Sequence, residues 1–198
     1  MTLKRSYHHG DLREQLLQRA ELTLRESGVD RLSLRQLARD VGVTHNAPSR
    51  HFRDKQALLD ALAQSGFERL GADFRATDVD GPFADRFRRL ARTYLSFAVA
   101  NPALLTLMFA RKHSPTAGAE MAAAVQQAFT VPALLTAQAQ ERGEIVAGDP
   151  LRIGMSVAVS LQGLASFVSS GLVTPEAAEE LLEETITHLT QGLFPRDT

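Results

Sequence analysis

The chain has 198 residues, 44% of them hydrophobic and 23% charged, with a net charge of −1, a balance that excludes wholesale disorder and fits one or two small folded domains. Cysteine is absent, which removes disulfides, thiolate-held zinc, iron–sulfur clusters and a cysteine nucleophile together. No apolar run reaches the roughly 18–20 residues of a membrane span, and the basic start, Met1 to Gly10, leads into no apolar stretch, so a soluble cytoplasmic protein is expected.

The charge is uneven. Residues 1–55 hold 11 Lys+Arg against 7 Asp+Glu, a net of +4, and residues 56–198 hold 11 against 16, a net of −5. A basic front directs that segment toward a polyanion. Aromatic residues are few, alternating β-branched runs are missing, and apolar residues recur at spacings of three and four. The expected fold class is all-α, with about nine helices.

The first helix is expected from Gly10 or Asp11 to Ser27, with Asp11 as N-cap, Glu14 three residues on, and Gly28 as its stop. Leu12, Leu16, Leu17, Ala20 and Leu24 form its inward stripe. Ser33 caps a second helix, Leu34 to Val41, broken by Gly42. Thr44 caps a short third helix to about Phe52, and Asp54 caps a fourth that runs past Leu70. Gly81-Pro82 interrupts the chain. A fifth helix then spans Phe83 to Ala100, and a sixth starts at Asn101-Pro102 and ends near Ala110. Arg111 to Gly118 is expected as a loop. A seventh helix covers Ala119 to Arg142 with a kink at Pro132. An eighth opens at Asp149-Pro150 and closes at Gly171, and a ninth runs from Thr174-Pro175 to near Gly192.

The segment Ser33 to Phe52 carries the most chemistry. Leu34, Leu37 and Ala38 face inward, Gly42 permits a tight turn, and Val43 and Phe52 plug the space beneath. This is the spacing of a DNA-binding helix-turn-helix. Thr44, His45, Asn46 and Ser49 offer hydrogen-bonding groups for base edges, where Asn suits adenine. Arg50, Arg53 and Lys55 are placed for phosphates, as are Ser33 and Arg35 at the start of the preceding helix. The basic arm with Lys4, Arg5 and Tyr7 is a candidate for the minor groove. The His8-His9 pair has no carboxylate cluster near it in sequence, so no metal or cofactor is expected.

The runs Tyr7-His8-His9-Gly10-Asp11-Leu12-Arg13, Leu32-Ser33-Leu34-Arg35-Gln36-Leu37-Ala38, Val41-Gly42-Val43 and Ala47 to Leu58 together resemble the tetracycline-repressor (TetR) family over about residues 7–66. The resemblance extends to the subgroup whose C-terminal domain carries a Trp…His-Gly signature. It implies a homodimeric, ligand-responsive repressor with a DNA-binding domain, residues 1–55, and a ligand-binding and dimerisation domain, residues 56–198. It implies an operator that is an inverted repeat. Two departures stand out. Ser49 occupies a position where the family usually has Tyr; it keeps the hydroxyl but loses the ring and reach, which predicts weaker DNA binding or a different operator. In the C-terminal signature Gln162 stands where His is usual, beside Gly163, and the chain has no Trp, so no effector class carries over.

The remaining residues provide enough helix for a dimer interface and a cavity. Most of the bulky apolar residues must be core. The expected effector contacts are Tyr94, Thr106, Met108, Gln126, Phe129 and Gln162, while Arg92, Arg111, Lys112 and His113 are candidates for an acidic effector. The last two helices are expected to pair across a two-fold axis, because helix eight mixes small residues such as Gly154 and Gly163 with Val157, Leu161 and Leu164. A dimer also doubles the grip of one short reading head. No phosphate loop, His-Glu-x-x-His helix or Gly-x-Ser-x-Gly elbow occurs, so no enzyme is expected. The alternative reading is a helical sensor or interaction protein whose DNA reading has weakened at Ser49.

Overall fold

The computed structural model describes residues 9–114 and 117–193; the arm residues Lys4, Arg5, Tyr7 and His8 lie outside them. Among the described residues there are nine α-helices and no strand: α1 (His9–Ser27), α2 (Leu34–Val41), α3 (Lys55–Thr77), α4 (Phe83–Ala100), α5 (Pro102–Lys112), α6 (Ala119–Ala128), α7 (Thr130–Glu141), α8 (Pro150–Ser169) and α9 (Pro175–Leu193). Two 3-10 turns, Val29–Arg31 and Pro48–Arg50, join the first three. The total matches the expectation, although two elements differ from it.

The expected third helix, Thr44 to Phe52, is a turn at His45–Ala47 followed by the single 3-10 turn Pro48–Arg50. An α-helix starting at Thr44 would close its first ring through the N–H of residue 48, and Pro48 has none. The chain winds instead through Ala47 N–H to Thr44 O (2.9 Å), His51 N–H to Pro48 O (2.9 Å) and Phe52 N–H to Pro48 O (2.9 Å). The expected seventh helix is two. The break is at Phe129, not at Pro132: Phe129 has φ −96° and ψ 11°, with its ring 6.4 Å from that of Phe67 and 6.3 Å from that of Phe74. Pro132 then falls in the first turn of α7, where a missing N–H costs little.

The described chain divides into two compact units. The first comprises the chain up to Gly66 together with Ala103–Ala122; the second comprises Phe67–Pro102 and the chain from Ala123 onward. The division falls inside α3. In the first unit, Leu12, Leu16, Ala20 and Leu24 of α1 are buried with Leu37 and Ala38 of α2. Helix α1 is already wound at His9, so Asp11 lies in its first turn rather than at its cap. Gly42 adopts φ 77° and ψ 30°; it and Val43 donate to Arg39 O and Ala38 O, closing α2 in a Schellman motif. Helix α5 buries Leu104, Leu105, Leu107 and Met108. A Cβ at Gly66 would stand 2.5 Å from the Met108 sulfur, which explains a glycine in a helix interior where it otherwise destabilises. Arg111 of α5 bonds Asp60 Oδ1 (2.6 Å) and Gln56 Oε1 (2.7 Å) on α3.

In the second unit, α4 packs against α7, α8 and α9. Phe83 and Phe87 stack at 5.6 Å, and Leu90, Tyr94, Leu95 and Phe97 continue the buried stripe. Arg86, itself buried, holds Asp78 with two bonds of 3.0 Å and Gln138 with a third of 3.0 Å. Arg88 and Arg92 pair with Glu183 on α9 at 3.1 and 2.9 Å.

Candidate nucleic-acid interface

Residues 33–55 alternate between a buried underside and an open outer surface. Pro48 and Phe52 are buried beneath the turn. Thr44, His45, Asn46, Ser49 and Arg50 are all exposed. Pro48 therefore acts twice: it stops the α-helix and fills the space under the reading surface. Ser33 stands at the N-cap of α2, but its side chain makes no capping bond, so its exposed hydroxyl remains available to another acceptor or donor. Arg35 is exposed in the first turn of α2.

The flanking cations are held differently. Arg53 is exposed and lies 3.3 Å from Asp54, an open pair that water screens strongly. Asp54 accepts from Ala57 N–H at 2.8 Å, starting α3 as expected. Lys55 is half-buried and its Nζ donates to Asp30 O at 3.4 Å. That bond ties the start of α3 to the link between α1 and α2. All nine expected DNA contacts thus lie in one 23-residue stretch, with eight exposed and Lys55 half-buried.

Two supports were not legible in the sequence. Arg19 of α1 bonds Asp40 Oδ2 at 2.8 Å, and Gln36 bonds Asp40 Oδ1 at 2.6 Å. The Arg19 bond, reinforced by Gln36, holds the Asp40 carboxyl below the usual carboxylate range. This links α1 to α2 at the surface of the motif. The second is Arg13 on α1, whose guanidinium carbon sits 5.6 Å from the centre of the Phe52 ring.

The six expected effector residues are divided between the two units. Thr106 and Met108 belong to the first unit, where Thr106 is exposed and Met108 is packed against Gly66. In the second unit Gln126 is exposed, and Phe129 packs between Phe67 and Phe74. Tyr94 and Gln162 do meet: the buried Tyr94 hydroxyl donates to Gln162 Oε1. Burial pushes the Tyr94 phenol well above its ordinary range. An open cleft of about 500 Å³ lined by Gly81, Pro82, Phe83, Ala84, Arg142 and Glu144 contains none of the six. Of the candidates for an acidic effector, Arg111 is taken up by Asp60 and Gln56, Arg92 by Glu183, and Lys112 lies 4.4 Å from the Phe109 ring centre.

An exposed polar face on a buried plug, entered through a glycine turn and carried by a small helical unit, defines a helix-turn-helix regulator. Residues 16–62 match the model of bacterial regulatory proteins of the tetR family, and residues 87–189 match the tetracyclin repressor-like C-terminal domain. The chain belongs to the TetR family of regulators. It is 41% identical to a protein of unknown function from Rhodococcus sp. RHA1, with a TM-score of 0.88 over 97% of this chain and 100% of that one. It is 38% identical over 65 residues to the HTH-type transcriptional repressor Rv1474c of Mycobacterium tuberculosis; that match spans 33% of this chain and about a third, 35%, of the curated relative. A putative tetR family transcription regulator from Shewanella sp. PV-4 shares the fold, with a TM-score of 0.74 over 93% of this chain and 99% of that one, at 18% identity.

Proposed function

We propose that the protein is a homodimeric repressor that reads an inverted-repeat DNA operator and is released from it by a small molecule. The observation that carries this reading is the outward set Thr44, His45, Asn46 and Ser49, exposed above buried Pro48 and Phe52. These four side chains meet base edges in the major groove, while Ser33, Arg35, Arg50, Arg53 and Lys55 hold phosphates. Residues 1–55 carry the DNA-reading function, and residues 56–198 carry dimerisation and effector binding, in the cytoplasm where the operator is.

Dimerisation through α8 and α9 is supported by Met155, Val159 and Phe167, which are 57, 65 and 51% exposed. With Gly163, beside which a Cβ would meet nothing, they make a row at four-residue spacing. That row is a ridge suited to packing against its own two-fold copy. Two heads about 34 Å apart then reach successive major grooves on one face of DNA. A ligand that favours another head spacing shifts the population away from the operator. Tyr94 and Gln162, already bonded to each other, are the effector candidates with the best geometry.

Selection from random duplex DNA by the purified protein, followed by salt titration on the recovered sequences, tests the reading. An inverted repeat held far more tightly than bulk DNA is expected. Binding with a steep salt slope and no sequence preference would leave only a basic surface.

A further inference from the structure

Helix α1 brings a cation against Phe52, the residue that plugs the motif beneath the reading segment, although none of the expected DNA contacts comes from α1. Arg13 is exposed, and its guanidinium lies over the ring of Phe52, 5.6 Å from the centre. Phe52 is only 2% exposed and is followed directly by Arg53. Among the described residues no carboxylate lies within ion-pairing range of Arg13. The contrast with Arg19, six residues on along α1, is direct: Arg19 is bound to Asp40 at 2.8 Å.

A guanidinium lying against an aromatic ring keeps its N–H edge outward and loses rotamer freedom. Such an edge is suited to two oxygens of one phosphate. Phe52 thereby has two contacts to serve: it plugs the motif from beneath and supports a cation from α1 at the motif's border. We infer that Arg13 is an additional phosphate anchor of the DNA interface, oriented by Phe52. The inference rests on the DNA-reading function proposed above. It also ties the α1 backbone to the operator, so that three elements, α1, α2 and the start of α3, grip DNA around the reading turn.

The test is the salt dependence of binding by Arg13→Gln, which keeps most of the stem but removes the charge, beside wild type and Arg13→Lys. Each lost phosphate contact lowers the slope of log K against log salt by about 0.9, so a dimer losing two drops by about 1.8. Arg13→Gln is expected to show that drop on the selected operator and on scrambled duplex alike, with an unchanged melting temperature. Arg13→Lys is expected to retain the slope. An unchanged slope for Arg13→Gln, with wild type binding normally, overturns the inference; a lowered melting temperature with an unchanged slope would make Arg13 only a cover for Phe52. If wild type itself binds no DNA, it is the DNA-reading function that fails, a result distinct from either.

Discussion

Both compact units pair arginines within the fold, as Arg19 with Asp40 and Arg111 with Asp60 do in the first, but the first also leaves arginines open along its reading segment. In the second, arginines are spent internally: Arg86 on Asp78 and Gln138, and Arg88 and Arg92 on Glu183. In the reading head of the first, Arg35 and Arg50 stand exposed with no ion pair among the described residues, and Arg13 rests on a ring rather than on a carboxylate. A folded chain pairs its polar groups where they serve the fold, so cations left open along one short stretch mark a surface kept for an anionic partner. Total charge says little of this, because the chain as a whole carries only −1.

That difference can be broken at its paired end first. Arg86→Met leaves Asp78 and Gln138 without their donor in a mostly buried site, and the cost is expected at about 3 kcal/mol of unfolding free energy by urea titration. A loss under about 1 kcal/mol would mean that the fork is ornamental. Next in size is the apolar ridge of α8. Val159→Glu places a charge in the proposed dimer contact and is expected to raise the dimer dissociation constant at least about a hundredfold, about 2.7 kcal/mol, read by sedimentation velocity. An unaltered dimer would move the interface elsewhere.

Gly71→Ala sharpens the account of α3. The new Cβ would stand 2.8 Å from the Ala128 Cα, a backbone atom that cannot step aside alone. A destabilisation of about 1–2 kcal/mol is expected despite alanine's better helix propensity, and a gain in melting temperature would refute the close crossing. Smallest is Asp40, a carboxylate of the first unit that is paired. Its pKa is depressed in the folded state, so its contribution is present above the ordinary carboxylate value near 4 and is lost as pH falls through the lower folded value. Asp40→Asn is expected to flatten the fall of stability below about pH 4 slightly, checked by urea midpoints at pH 7 and pH 3.

Much of the fold was legible because the breakers are local. Gly28, Gly42 and Gly171 all adopt positive φ at or just past a helix end, and Pro102 and Pro175 open helices as read. The motif's face was legible for the same reason, since polarity at Thr44, His45, Asn46 and Ser49 is a property of the residues themselves. The reading segment's winding was overestimated because polarity and spacing outweighed the one missing N–H at Pro48. The break at Phe129 was hidden because its cause is a ring held by Phe67 and Phe74, far away along the chain. The polar partnerships were hidden likewise: Arg86 and Gln138 are 52 positions apart, and Arg111 and Asp60 are 51. The burial of the expected effector residues was hidden for the same reason. Thr106 and Gln126 interrupt apolar stretches in sequence, yet both face solvent.

The central claim is that the exposed turn above Pro48 and Phe52 reads bases while the surrounding cations hold the backbone. The most direct test is the ratio of affinities for a selected inverted repeat and a scrambled duplex at one salt concentration, for wild type and for His45→Ala/Asn46→Ala. A wild-type ratio of about 10³ or more is expected, falling at least about tenfold in the double variant with little change in its salt slope. A ratio near one for wild type, or a ratio unmoved by the double variant, would contradict the claim.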